Sequence, residues 1–137
     1  KGKIFISVND KDKRSIIHIA KRLAELNFKL IATKGTAQIL KKNGIDIETV
    51  SKISEGRPNI LDLIKNGEIA LMINTPSGKG SKKDQLLLRR SAINYNIPYI
   101  TTISGAAAAV NGIEFLIKRE LKVKSLQEYH SFLQTPV

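Results

Sequence analysis

Residues 2–36 read GKIFISVNDKDKRSIIHIAKRLAELNFKLIATKGT, and this stretch decides the fold class. Residues 2–8 form a short apolar run typical of a buried strand, and residues 12–26 repeat apolar side chains at helical spacing. Residues 28–32 predict a second strand, which the TKGT segment (33–36) joins to another helix. A strand, a helix and a second strand in this order indicate a parallel pair covered by the helix.

The same alternation continues outward from this unit. The further predicted elements are a helix ending at Asn43, a more polar strand over 45–53, a short helix over 60–66, a strand over 69–73, a helix over 84–94, a strand over 99–102 and a helix over 106–119. The strand over 69–73 is the most apolar, which predicts a central position. Ser125, with Glu128 three residues on, predicts the start of a short C-terminal helix. We therefore expect a three-layer α/β/α sandwich with a five-stranded parallel sheet, forming a single domain over 1–137.

Length and composition exclude several classes of protein. A chain of 137 residues suits one domain, and 42% hydrophobic with 26% charged residues is typical of a globular core. The absence of cysteine excludes a disulfide scaffold and thiolate chemistry. No apolar stretch approaches the roughly 18 residues that cross a bilayer, so we expect no membrane partner and a cytoplasmic location. A start at Lys1 without methionine suggests a piece of a longer chain.

The charge predicts an anionic ligand. Lysine and arginine number 23 against 12 acidic residues, a net charge of +11. The basic pairs are dispersed along the chain, which is typical of solvated helix faces, and tryptophan is absent. Without an aromatic platform, a recognition helix or an arginine-rich arm, a nucleic-acid partner is not favoured.

The loops after the strands carry the candidate site, because a parallel sheet brings them to one edge. They are rich in Thr, Ser, Gly and Lys, which suits a phosphate held by backbone N–H groups, hydroxyls and ammonium groups. The best single candidate is the TKGT segment, where Gly35 permits a tight turn. The alternative is that Thr36 only caps the following helix. No Walker loop or GxGxxG is present.

Catalytic and metal-binding patterns are scarce. His18 lies within a predicted helix and His130 near the C-terminus, so neither falls in an edge loop. Asp10 and Asp12 suit the start of a helix better than a catalytic pair. We expect no catalytic residue, no metal site and no cofactor in this domain.

The order of these motifs resembles the C-terminal allosteric domain of the large subunit of carbamoyl phosphate synthetase, a domain with the methylglyoxal-synthase-like fold. The resemblance covers about residues 2–130 without a large gap. The matching segments are FISV (5–8) with Asp12-Lys13, ATKGTA (32–37), VSKI (50–53), SEGRP (54–58), IKNGE (64–68), INTPSG (73–78), LRRSA (88–92) and YITT (99–102).

The resemblance implies a site for nucleotide monophosphates, with UMP as inhibitor and IMP as activator, or for phosphate. Lys13 and Lys52 would supply charge, Thr33 and Thr36 hydroxyl groups to phosphate, and Asn74 a ribose or base contact. The positions that match the family's effector site are Ser7, Lys13, Thr33, Gly35, Thr36, Lys52, Asn74 and Thr75.

Two further positions bear on this resemblance. Pro76 replaces a threonine that contacts the nucleotide in the family, which removes a hydroxyl group and an N–H donor and leaves the preferred nucleotide open. Thr101 matches a threonine linked to ornithine activation, although its acidic partners belong to another domain.

The resemblance also implies a parent enzyme. It would be a glutamine-hydrolysing ligase shared by pyrimidine and arginine synthesis, with ATP, Mg²⁺ or Mn²⁺ and K⁺ bound only by catalytic domains outside this chain. The expected partners are the rest of the large subunit and the glutamine amidotransferase small subunit. Whether the isolated domain is a monomer or a homo-oligomer stays open.

Methylglyoxal synthase itself is the enzymatic alternative. It needs an aspartate in a Gly-Gly-Asp sequence and a histidine after the fourth strand. Alignment on NGE (66–68) puts Glu55-Gly56-Arg57 in the place of Gly-Gly-Asp, and Ser81 or a neighbour in the place of the histidine. Because arginine stays protonated, it cannot act as the base, and this activity is not expected. A basic nucleic-acid-binding module is the third alternative.

Overall fold

The computed structural model describes residues 2–76 and 82–134, and in them strands alternate with helices. Two single turns of 3₁₀ helix, Asp10–Asp12 and Ile53–Glu55, lie in the connections. In chain order the elements are β1 (Lys3–Ser7), α1 (Lys13–Glu25), β2 (Leu30–Ala32), α2 (Lys34–Lys42), β3 (Glu48–Thr49), α3 (Ile60–Lys65), β4 (Ile69–Asn74), α4 (Lys82–Asn94), β5 (Tyr99–Ile100) and α5 (Ile103–Gln134).

All strand pairs are parallel, which confirms the predicted five-stranded sheet. The strand order is β3-β2-β1-β4-β5. The fourth strand was expected to be central. It has neighbours on both sides, but β1 occupies the centre, between β2 and β4. Every strand therefore delivers its C-terminal loop to the same edge of the sheet.

Helices cover both faces of the sheet and form two separate cores. On one face, Ile4 and Ile6 of β1 pack with buried side chains of α1, α2 and α5. On the other face, Phe5 packs with Ile60 and Ile64 of α3 and with Leu88 of α4. Adjacent residues of β1 enter opposite cores because side chains alternate along a strand, and the predicted three-layer sandwich is confirmed.

The third strand is shorter than expected. A strand was predicted over 45–53, but only Glu48–Thr49 pairs with β2. The strand lies at the sheet edge, and its two residues are exposed on both sides. The backbone after it turns at Lys52, whose N–H donates to Oε1 of Glu55 at 2.7 Å. The last hydrogen bond to β2 is donated by the Val50 N–H to the Ala32 carbonyl at 2.8 Å, so the chain leaves the sheet before Lys52.

The C-terminal region is one helix instead of two. The prediction that Ser125 begins a separate helix is wrong, because α5 runs without a break over Ile103–Gln134. Residues 113–134 contain no glycine or proline and are rich in strong helix formers, so nothing in the sequence stops the helix. Residues 118–133 are exposed. In the described part of the chain, no helix combines the length and apolar character needed to cross a membrane.

Candidate anion-binding site

Three polar side chains form a row across the C-terminal edge of the sheet. Ser7 ends β1 directly opposite Asn74 of β4, and Thr33 follows β2 on the other side of Ser7. The Thr33 hydroxyl donates to the Ser7 hydroxyl oxygen at 3.1 Å. Phe5, two residues before Ser7, lies in the core beneath α3 and α4, so the row sits above that core.

A cavity of about 920 Å³ opens over this row. Its size falls in the range of small-molecule sites. The structure brings all eight residues that matched the family's effector site to the wall of this one cavity: Ser7, Lys13, Thr33, Gly35, Thr36, Lys52, Asn74 and Thr75.

The N-terminus of α2 supplies backbone donors to the cavity. Thr33 is the N-cap in extended conformation, and its side chain makes no cap bond because it is used on Ser7. The first N–H groups of α2 have no carbonyl partner within the helix, and the helix dipole favours an anion there. Gly35 was expected to permit a tight turn, but it lies in the first turn of α2. A methyl group there would contact Cε of Lys13 at 3.6 Å, so glycine instead leaves space beside that ammonium group.

Thr36 does not cap the helix. Its hydroxyl oxygen accepts the Val8 N–H at 3.1 Å, and the side chain is fully buried. The bond ties the first turn of α2 to the end of β1, across 28 residues of sequence. The capping alternative for Thr36 is therefore wrong, and the residue fixes one wall of the cavity.

Two lysines provide positive charge to the cavity wall. The Nζ of Lys13 donates to the Val8 carbonyl at 3.0 Å and to Oδ1 of Asp10 at 2.9 Å, so it is already oriented. Lys52, which precedes the 3₁₀ turn, is exposed, and its ammonium group has no ion-pair partner among residues 2–76 and 82–134. Lys52 is thus a positive charge free to meet an anion in the cavity.

The opposite end of the cavity is built from side-chain amides. Asn74 is buried, and its Nδ2 donates to Oε1 of Gln85 at 2.8 Å and to the Tyr99 hydroxyl at 2.6 Å. The guanidinium of Arg89 lies 5.6 Å from the centre of the Tyr99 ring. These contacts join the end of β4 to α4 and β5.

Some lining residues were missed by sequence reasoning. Phe5, Ile60 and Leu88 form an apolar floor, and Asp84 and Gln85 of α4 also line the cavity. One signal for the last two was available, because a helix that follows a strand's C-terminal loop begins at the same edge. Which side chain of its first turns faces inward depends on how α4 packs.

Other candidate residues lie outside the cavity. Thr101 follows β5 at the same edge but is not part of the cavity wall. His18 and His130 are exposed on α1 and α5. Of the acidic pair, Asp10 lines the cavity and binds Lys13, whereas Asp12 ends the 3₁₀ turn, where its N–H donates to Oδ1 of Asn9. No group of acidic or histidine side chains among the described residues has the arrangement of a metal site.

Arg57 is also outside the cavity and is bound to a helix cap. Its Nη2 lies 2.6 Å from Oδ1 of Asp62, and Oδ2 of Asp62 accepts the Asn59 N–H at 2.8 Å. The guanidinium, followed by that N–H, holds the pKa of Asp62 below its usual value. The same ion pair raises the pKa of Arg57. The loop that alignment places at a catalytic aspartate is therefore a structural cap of α3. Ser81 lies outside the described residues.

Comparison with known proteins identifies the class to which this fold and edge site belong. The model of the MGS-like domain family matches residues 15–101, more than half of the chain. The chain therefore belongs to the MGS-like domain family.

Its curated relatives are carbamoyl phosphate synthase large chains. The chain is 50% identical over 131 residues to that of Archaeoglobus fulgidus, covering 95% of this chain and 12% of the relative. It is 52% identical over 129 residues to that of Methanothermobacter thermautotrophicus, with coverages of 94% and 12%. A separate C-terminal section from Methanopyrus kandleri is 48% identical over 136 residues, with coverages of 98% and 25%. The chain thus spans about an eighth of the full-length relatives.

Solved structures share the fold. A methylglyoxal synthase from Elizabethkingia anophelis superposes with a TM-score of 0.62 at 18% identity, covering 80% of this chain and 77% of that one. A protein described as ForH gives the same TM-score and identity, with coverages of 83% and 80%. At this identity the likeness concerns the fold alone.

Proposed function

We propose that this chain is the regulatory domain of a carbamoyl phosphate synthase large chain and that it binds a nucleotide monophosphate in the edge cavity. One observation carries the proposal. Eight residues from the ends of strands, the starts of helices and the loops between them, matched one by one to the effector site of the resembling family, line a single cavity. High identity to synthase large chains over nearly the whole chain supports the parent assignment.

The phosphate is assigned to the end of the cavity between α2 and the two lysines. There the free N–H groups of α2 lie beside Lys13, Gly35 leaves room next to the Lys13 ammonium, and Lys52 lines the same cavity. Charge-assisted hydrogen bonds of this kind are about twice as strong as neutral ones. The ribose and base then extend over Ser7 toward Asn74, above the apolar floor.

The charges of the lining residues favour an anion over a neutral ligand. Among the lining residues, Lys11, Lys13 and Lys52 face two carboxylates, Asp10 and Asp84. Because Asp10 already holds Lys13, the unmatched charge lies with the exposed lysines. A phosphate monoester, with a charge of about −1.5 to −2 at neutral pH, is the natural complement.

We propose that the parent enzyme is regulated as in the family of carbamoyl phosphate synthetase allosteric domains. UMP inhibits and IMP activates a cytoplasmic, glutamine-hydrolysing synthase that serves pyrimidine and arginine synthesis. ATP, Mg²⁺ or Mn²⁺ and K⁺ belong to catalytic domains outside this chain, and the rest of the large subunit and the glutamine amidotransferase subunit are the partners. We assign Thr101 to an ornithine-linked role and not to the nucleotide, since it lies at the edge but outside the cavity wall.

Calorimetric titration of the 137-residue chain with UMP, IMP and inorganic phosphate tests the binding. We expect saturable binding of all three at one competing site, with the nucleotides tighter because they also contact the apolar floor. Nucleotide binding that excess inorganic phosphate does not displace would contradict a shared phosphate position. Failure of all three ligands to bind would overturn the proposal.

A further inference from the structure

Gln85 and Asn74 form an oriented pair of amides at the end of the cavity away from the lysines. Gln85 lies in the first turn of α4, is half-buried and lines the cavity. Its Oε1 is occupied by the Nδ2 of Asn74 at 2.8 Å. Among the described residues, its Nε2 has no hydrogen-bond partner. The pair therefore turns the donor end of Gln85 toward the ligand space.

Asn74 contributes the complementary acceptor. Both N–H groups of its amide are used, one on Gln85 and one on the Tyr99 hydroxyl at 2.6 Å. Its Oδ1 has no hydrogen-bond partner in the described part of the chain. Every side-chain nitrogen or oxygen atom that is fully buried there does have a partner, so the Asn74 Oδ1 is not fully buried. That oxygen therefore keeps access to the cavity, next to the Gln85 donor.

An acceptor beside a donor selects one edge pattern of a nucleobase. Uracil and hypoxanthine each present a ring N–H next to a carbonyl oxygen, so the N–H can meet Asn74 and the carbonyl can meet Gln85. Cytosine and adenine present the reverse, an unprotonated ring nitrogen next to an amino group. With those bases, donor faces donor and acceptor faces acceptor, which leaves polar groups of the site unpaired.

The position along the sheet suits a base. Asn74 is opposite Ser7, and β2 with Thr33 lies beyond it. Neighbouring strands are about 4.8 Å apart, so Asn74 is about 10 Å from the phosphate end at β2. Phe5, on the strand between β2 and β4, lines the cavity between these two ends. A ligand anchored by its phosphate at α2 thus brings its other end to the amide pair.

We propose that Gln85, oriented by Asn74, makes this site selective for nucleotides whose base carries an N–H beside a carbonyl, and against those with an amino group in that place. The proposal rests on the proposed function, because it assumes that a nucleotide monophosphate occupies the cavity. It assigns specificity to a residue outside the set matched to the family.

The test measures four nucleotides and one ligand without a base. UMP is compared with CMP, and IMP with AMP, while ribose 5-phosphate reports the phosphate end alone. For the unchanged chain, we expect UMP over CMP and IMP over AMP by at least about tenfold. In Gln85→Leu both ratios should approach one, with ribose 5-phosphate binding within about twofold. Gln85→Glu replaces the donor by an acceptor while Asn74 keeps its own acceptor, so each base then has one matched and one mismatched contact, and both ratios should fall to about one.

Ribose 5-phosphate binding also shows that each variant is folded, and ratios cancel the general effect of the added charge in Gln85→Glu. Gln127→Leu, at an exposed position on α5, is the matched control and should preserve both ratios. Two results would overturn this inference only, provided that ribose 5-phosphate still binds. The first is a UMP-to-CMP and IMP-to-AMP affinity ratio near one in the unchanged chain, and the second is a ratio that the Gln85 variants leave unaltered. Absence of binding for all five ligands would overturn the proposed function as well.

Discussion

The Thr36 hydroxyl group both stabilises the fold and lines the candidate site. Its oxygen is the acceptor for a backbone N–H at the end of the central strand, in a fully buried position. The hydroxyl hydrogen remains able to donate to a ligand in the cavity. A loss of binding after removal of this hydroxyl would therefore mix a local structural change with a lost contact.

We predict that Thr36→Val lowers the free energy of unfolding by about 1–3 kcal/mol, although the side-chain shape is kept, because the Val8 N–H is left without an acceptor. Thr36→Ser keeps the oxygen and loses only a methyl group, for which about 0.8 kcal/mol is expected. Urea unfolding of the two variants gives the comparison. Equal stabilities for Thr36→Val and the unchanged chain would refute the structural role of this bond.

At the scale of elements, a glycine in the first turn of α2 lowers the stability of the helix but leaves space for an anion. Glycine in a helix is less stable than alanine, yet Gly35 stands where a methyl group would enter the space beside Lys13. No positive φ requires glycine at this position. The glycine is therefore best explained by the space that it leaves for a phosphate beside the Lys13 ammonium group.

Gly35→Ala should raise the free energy of unfolding by about 0.4–1 kcal/mol and weaken phosphate binding severalfold. Gly112→Ala is the matched control, since Gly112 is also helical and a methyl group there meets no atom within 4 Å. It should give a similar gain in stability with unchanged binding. Thermal unfolding and calorimetry on both variants decide the matter, and tighter phosphate binding by Gly35→Ala would contradict the assignment.

The cap of α3 has a defined dependence on pH. Arg57 and the Asn59 N–H lower the pKa of Asp62 in the folded chain. A lowered pKa stabilises the fold fully above the unfolded-state pKa, about 3.9, and the contribution is lost as pH falls through the folded-state value.

The stability difference between the unchanged chain and Asp62→Asn should therefore be constant from about pH 5 to 7 and shrink below about pH 4. Urea unfolding across this range measures it. Asp46→Asn is the control, since Asp46 is exposed and forms no ion pair among the described residues. A difference for Asp62→Asn that stays the same down to pH 3 would show that the charge of Asp62 contributes nothing.

At the scale of the whole molecule, the fold is shared with a methylglyoxal synthase, and the resemblance leads us to expect that the catalytic aspartate of that enzyme is absent. Arg57 stands where alignment expects the catalytic aspartate, and it is outside the cavity in an ion pair with Asp62. We predict no conversion of dihydroxyacetone phosphate to methylglyoxal by the pure chain, followed colorimetrically. Turnover that disappears in Asp10→Asn or Asp84→Asn, the two carboxylates of the cavity wall, would show this prediction to be wrong.

Most of the architecture was predictable from local patterns. The alternation of apolar runs and helical segments implies parallel strands, and parallel strands imply that the loops holding Ser7, Lys13 and Thr33 meet. Contacts between distant segments were not predictable in this way. The Thr36–Val8 bond, the orientation of Gln85 by Asn74 and the shortness of β3 all depend on how elements pack. The uninterrupted α5 was open to prediction, because residues 113–134 hold no helix breaker.

The central claim is that a specific site, and not diffuse attraction to a chain of net charge +11, holds the phosphate. The most direct measurement is a calorimetric titration of UMP at fixed salt into the unchanged chain, Lys52→Ala and Lys82→Ala. Each variant loses one positive charge, but Lys52 lines the cavity and Lys82, at the start of α4, does not. We predict that Lys52→Ala binds UMP about ten- to a hundredfold more weakly, the loss of one charge-assisted hydrogen bond, while Lys82→Ala changes affinity by no more than about twofold. Equal, small losses in both variants would mean diffuse attraction and would contradict the site.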